Sequence, residues 1–144
     1  MDFVVAGRQE IEAGILVRSA YVVISITDPG SRPARILKSA GFRDVLRLQF
    51  HDAIPVEGFT LPPEVVLMNK DHAKSIWQFV RQWQEKVDTF VVHCEQGMSR
   101  SPAVAAAICD MLGGHGRHFF NEFVPNRYVY DLLLTAAEDV SRRR

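Results

Sequence analysis

Cysteine is scarce: Cys94 and Cys109 are the only two in 144 residues. That is too few for a disulfide framework and fits a reducing compartment. Excess charge is also missing. Lys plus Arg number 17 and Asp plus Glu number 17, a formal net charge of zero. A balanced chain offers no broad field for nucleic acid or anionic membranes, so neither is an expected partner. The one dense basic run, Ser141-Arg142-Arg143-Arg144, reads as a solvated end. Long apolar runs are absent too. The longest, Ala103 to Cys109, is too short to span a bilayer, and the first residues show no basic, apolar leader pattern. A cytoplasmic location is the expectation.

What is present is ordinary for a globular chain: 47% hydrophobic and 24% charged residues. The length suits one domain over residues 1–144, with a sizeable core. There is no internal repeat and no low-complexity linker. Short apolar runs alternate with helical patterns, which predicts an α/β fold: a mostly parallel central sheet of about four to five strands flanked by helices. Strands are expected at Phe3–Ala6, Tyr21–Ile26, Val45–Phe50 and Thr89–His93. A Pro-containing loop runs from His51 to about Asn69. Helices are expected over Asp71–Lys86, capped by Asn69 or Asp71, then Pro102–Leu112, His118–Phe123 and Asn126–Val140. Gly113-Gly114 stops the second of these.

The chemistry concentrates in His93-Cys94-Glu95-Gln96-Gly97-Met98-Ser99-Arg100-Ser101, between an apolar strand and a helix. A helix start leaves its first N–H groups unpaired, and a loop entering it can cradle an oxyanion. Gly97 permits a positive φ in mid-loop. Cys94 would sit on the floor of the cradle, where the same N–H groups favour its thiolate. Arg100 follows after five intervening residues, and its planar fork can grip two phosphoryl oxygens. The Ser101 hydroxyl can reach back to the sulfur. Packing alone would also account for a buried Cys at a strand end, but not for the whole strand–loop–helix context.

These residues resemble the active-site loop of the cysteine-dependent protein tyrosine phosphatases, nearest to small dual-specificity and bacterial tyrosine-phosphatase-like members. Val91-Val92-His93-Cys94 and Ser99-Arg100-Ser101 carry the likeness. The resemblance implies Cys94 as nucleophile, Arg100 as substrate and transition-state ligand, and supporting roles for His93 and Ser101. Residues 95–99 would line the substrate phosphate. No metal or cofactor is implied.

Phosphate ester cleavage also needs a proton donor. Leu46-Arg47-Leu48-Gln49-Phe50-His51-Asp52 resembles the strand that ends at the family's acidic residue, so Asp52 is the choice. It lies 42 residues before Cys94, a longer gap than the family's pattern, with the excess in Ile54–Pro63. Glu57 is the second candidate. Asp71 reads as a helix cap, and Asp28 lies in a turn able to approach the site. His51 reads as an exposed side chain, with orienting the loop as the alternative. Pro125-Asn126-Arg127 also resembles dual-specificity relatives, where such a pair braces the loop; helix capping by Asn126 is the equal alternative, and Arg127 can add positive potential. Cys109 reads as core.

The expected activity is phosphomonoester hydrolysis through a cysteinyl-phosphate, on phosphotyrosine or, alternatively, phosphoserine or phosphothreonine. The absence of Lys from positions 95–99 argues against a highly charged phosphoinositide headgroup. Two rivals remain. A phospho-binding module would keep the loop without effective acid catalysis, and Glu95 beside the nucleophile gives it weight. A rhodanese-like sulfurtransferase also cradles a Cys, but with a basic residue nearer to it.

Overall fold

A computed structural model describes the backbone of residues 1–142; the basic run that begins at Ser141 has its side chains outside the described residues. Four strands, β1 (Asp2–Ala6), β2 (Tyr21–Thr27), β3 (Phe42–Gln49) and β4 (Thr89–His93), form one sheet in the order β1-β4-β2-β3, and every pairing is parallel. The helices are α1 (Arg8–Ala13), α2 (Lys70–Trp83), α3 (Arg100–Met111), α4 (Arg117–Glu122) and α5 (Arg127–Arg142). Among the described residues, no helix is long and apolar enough to cross a membrane.

The two inner strands are buried on both faces, which is why they read as unbroken apolar runs rather than alternating ones. Their period of two still sorts the side chains. Val22, Ile24, Ile26, Phe90 and Val92 face α2, α3 and α5 in the larger core, whereas Tyr21, Val23 and Val91 join Ile11, Val17 and Ala34 in a smaller one on the α1 side. Each such fully buried large aliphatic or aromatic side chain contributes about 1.5–3 kcal/mol relative to exposure.

Helix α2 starts on Asn69, whose Oδ1 accepts the His72 N–H at 3.0 Å; Asp71 does not cap it. Its Trp77 donates through Nε1 to the Leu133 carbonyl at 2.9 Å, tying α2 to α5. Helix α3 is buried through Ile108, as its run of Ala and Val allows. It ends where Gly113 takes a φ of +86°: the Gly113 N–H donates to Asp110 O and the Gly114 N–H to Cys109 O, a paired closure open to a left-handed glycine.

Several bounds differ from the sequence expectation; α2, for one, stops at Trp83 rather than Lys86, and α1, β3 and α3 differ for identifiable reasons. Helix α1 was not expected; six residues carry too little periodicity to show, and the helix begins where the Glu10 carboxylate accepts the Gly7 N–H at 3.0 Å. Strand β3 begins at Phe42 rather than Val45: Phe42 and Asp44 pair with Tyr21 and Val22 of β2, and Arg43 is the extra residue at a bulge between them. Helix α3 begins at Arg100, ahead of Pro102, which sits in the first turn where a missing N–H costs nothing.

Candidate active site

The central strand β4 delivers His93 and Cys94 at its C-terminal end, and α3 starts six residues after the cysteine. The loop between them is fastened from three sides. The Cys94 N–H donates to Ala6 O at 3.2 Å, at the end of β1, and the Arg8 N–H donates to Glu95 O at 2.9 Å. On the far side, the Val124 N–H donates to Met98 O at 3.1 Å and the Asn126 N–H to Ser99 O at 3.0 Å. These carbonyls face outward, and the Gly97 N–H faces in, donating to Cys94 Sγ at 3.2 Å. Gly97 has φ +76°, and a Cβ there would lie 2.5 Å from the Gly7 nitrogen, so the position admits only glycine.

Cys94 is buried, and its sulfur also lies 3.2 Å from Ser101 Oγ. His93 is fully buried behind it. Its Nδ1 lies 3.2 Å from the Cys94 carbonyl, which can only accept, so Nδ1 carries the proton and Nε2 accepts from Ser25 Oγ at 2.6 Å. Burial holds the His93 pKa below its ordinary 6.5 and keeps the ring neutral. Ser25 escaped the sequence reading. Its signal is the register, which sets it directly beside His93 on the neighbouring strand.

Arg100, the first residue of α3, is also buried. Its Nη1 is held by Asp28 Oδ1 and by the Phe50 carbonyl, each at 2.7 Å. Nε is buried with no partner among the described residues. A guanidinium fixed at one corner, with a second N–H buried and unpaired, suits an oxyanion taken edge-on.

Asp52 lies at the opposite end of the loop. Its Oδ1 accepts from Ser99 Oγ at 2.8 Å and from Asn126 Nδ2 at 2.9 Å. Asn126 therefore acts three ways: its N–H braces Ser99, its Oδ1 accepts the Val129 N–H at 3.0 Å to cap α5, and its Nδ2 holds Asp52 and the Ala53 carbonyl. Glu95 turns away from the sulfur to pair with Arg8 Nη1 at 3.3 Å. Gln96 and Met98 are exposed.

Other candidates lie elsewhere. Glu57 is exposed on the loop after Asp52 and holds none of these side chains. Arg127 lies over the rings of Phe120 and Tyr130, at 5.2 and 5.7 Å, rather than over the loop. Cys109 is only partly buried; desolvation, then the Asp110 charge, pushes its thiol pKa up.

No family model matches the sequence, and no curated protein matches it either. Solved structures do. Human DUSP28 is 16% identical, with a TM-score of 0.55, over 99% of this chain and 95% of its own. PTPMT1, solved in complex with PI(5)P, is 14% identical, with a TM-score of 0.53, over 86% of this chain and 80% of its own. The chain thus shares its fold, a four-stranded parallel sheet flanked by helices, with these two solved structures.

Proposed function

We propose that the protein hydrolyses phosphomonoesters through a cysteinyl-phosphate intermediate. One observation carries the reading. A buried sulfur hydrogen-bonded to Gly97 N–H and Ser101 Oγ, an arginine with a buried unpaired N–H, and an exposed carboxylate are all fastened to one loop.

In the first step the Cys94 thiolate attacks phosphorus in line. The bond to the ester oxygen breaks as Asp52, in its acid form, gives that oxygen a proton. In the second step water attacks phosphorus, the Asp52 carboxylate takes a water proton, and the S–P bond breaks. Inorganic phosphate leaves and the sulfur departs as thiolate, stabilised by the Ser101 hydroxyl and the Gly97 N–H. Arg100 and the loop amides hold the equatorial oxygens, so catalysis is mainly positioning and charge stabilisation. His93 acts on the Cys94 carbonyl and so on the loop's shape.

Phosphotyrosine is the substrate this reading favours. Met98 and Val124 are joined through a backbone hydrogen bond and both expose apolar side chains at the loop, a surface suited to an aryl ring. PTPMT1 was solved with PI(5)P on the same fold, so the fold does not choose between protein and lipid substrates. The absence of Lys from residues 95–99 favours the less charged ligand.

The test is hydrolysis of an aryl phosphate with a chelator present. Cys94→Ser is expected to abolish turnover, and Asp52→Asn to lower it by roughly 10²–10⁴-fold, the range of general acid catalysis. Near-normal turnover by Cys94→Ser refutes the mechanism. Tight binding of inorganic phosphate by a wild-type protein with no turnover, unchanged in Asp52→Asn, establishes a phospho-binding module instead. Sulfur transfer from thiosulfate establishes the rhodanese-like reading.

A further inference from the structure

The excursion after β3 is unusually free of internal support. Between His51 and Val66 it contains Pro55, Pro62, Pro63 and Gly58, and its own backbone bonds are short turns, Phe59 N–H to Val56 O and Val65 N–H to Pro62 O. Ile54, Val56 and Phe59 are exposed. Asp52 nevertheless has a fixed place at the catalytic loop.

Its neighbour supplies the explanation. The His51 N–H donates to Val66 O at 2.7 Å, as in an antiparallel pair. The returning bond, from the Val66 N–H, would ordinarily go to the His51 carbonyl. That carbonyl is turned into the loop instead: it accepts the Ala53 N–H at 3.0 Å and closes a three-residue turn centred on Asp52. The Val66 N–H instead donates to His51 Nδ1 at 2.9 Å. The imidazole stands in for the carbonyl. A ring accepting at Nδ1 from an N–H is neutral, with its proton on Nε2.

We infer that His51 is a positioning residue for the proton donor. Its ring closes the base of the loop at Val66 and frees its carbonyl for the turn that presents Asp52 to Ser99 and Asn126. The inference rests on the reading of Asp52 as general acid. Without the ring, the Val66 N–H loses its acceptor, one of the two bonds closing the base of the loop is gone, and Asp52 spends less time in place.

The test compares phenyl phosphate, whose leaving group needs a proton, with 2,4-dinitrophenyl phosphate, whose leaving group does not. The readout is the ratio of the two kcat/KM values, which covers the first step and not the shared hydrolysis of the cysteinyl-phosphate, with thermal unfolding recorded for each variant. Asp52→Asn should shift the ratio against phenyl phosphate by roughly 10²-fold or more. His51→Ala should shift it the same way by about tenfold, the scale of one lost hydrogen bond. His51→Asn, whose Oδ1 can accept in place of Nδ1, should restore the ratio to within about threefold. His51→Ala should add nothing to Asp52→Asn. An unchanged ratio in His51→Ala, alongside a large shift in Asp52→Asn, overturns the inference and leaves the acid assignment standing. An equal loss on both substrates does the same, because it marks a merely structural role. An unchanged ratio in Asp52→Asn overturns the acid assignment and the inference together.

Discussion

Asp28 is where a single substitution tests the geometry of the site most sharply. Its Oδ1 and the Phe50 carbonyl share Arg100 Nη1, each at 2.7 Å. Arg100 is buried, with a side chain 5% exposed, but the Asp28 side chain is 46% exposed. A hydrogen bond to a charged group is worth about 1.5–3 kcal/mol when shielded, and an ion pair in water about 0.2–1 kcal/mol. The half-exposed Asp28 belongs between them, so Asp28→Ala should cost about 1 kcal/mol. One end of the fork is then held by Phe50 O alone, and the N–H edge meant for phosphate loses its fixed direction. If most of that energy is expressed on the reacting complex, kcat/KM falls by about fivefold. Asp28→Asn keeps an acceptor and should lose about twofold or less. Steady-state hydrolysis of an aryl phosphate gives the loss in kcat/KM, and urea unfolding gives the loss in stability. Removing Asp28 also removes a negative charge near an anionic ligand. If kcat/KM in Asp28→Ala equals or exceeds wild type, repulsion outweighs positioning and the reasoning is refuted.

Three further outcomes are expected. Gly97→Ala forces a Cβ into left-handed backbone, 2.5 Å from Gly7 N and 2.7 Å from the Ala6 carbonyl carbon, and should cost at least about 2 kcal/mol, read as a lower calorimetric midpoint. Ser25→Ala leaves the buried His93 Nε2 without its partner and should destabilise by about 1–3 kcal/mol, measured by denaturant midpoint. Stability should also fall in mild acid. Burial holds the folded pKa of His93 below 6.5, so the unfolded chain binds the proton more readily; stability is full above that value and declines as pH drops through it toward the lower folded one. His72 shifts the same way, again mainly by burial, so His93→Gln should reduce the slope of urea midpoint against pH without abolishing it.

The parts of the fold that were legible share a physical origin. Thr89–His93 is buried on both faces, so its sequence carries an unbroken apolar signal between breakers, and the strand has the bounds expected of it. The helical stripe of Ile76, Phe79 and Val80 marks α2 in the same way. Where tertiary pairing decides, the sequence is mute. Asp44 is a poor strand residue held in β3 by its pairing with Val22, and α1 is one short turn and a half set by contacts around Gly7. The Cys94 loop was legible as a unit because its parts are contiguous. Its supports were less so: Asp28 was expected only in a turn able to approach the site and Ser25 not at all, because they meet Arg100 and His93 from 72 and 68 residues away and no local pattern names such partners. Asn126 was expected either to brace or to cap, and it does both because its backbone N–H holds the Ser99 carbonyl while its side-chain Oδ1 caps α5.

The all-parallel sheet has a kinetic consequence. A parallel partner cannot be a tight hairpin, so β4 must wait for strands formed far away in the chain: Thr89 pairs with Asp2 on one side and Tyr21 on the other. Such non-local pairing is slow, because loop closure precedes the contacts that reward it. The Cys94 loop and Arg100 sit at the meeting point of these late events, bonded to Ala6, Asp28, Phe50 and Asn126 at once. Helices α2 and α5 form largely from local contacts, whereas the pocket exists only when every one of those distant segments has arrived. During refolding, helical signal should return before activity, and the capacity to bind phosphate marks completion of the whole fold.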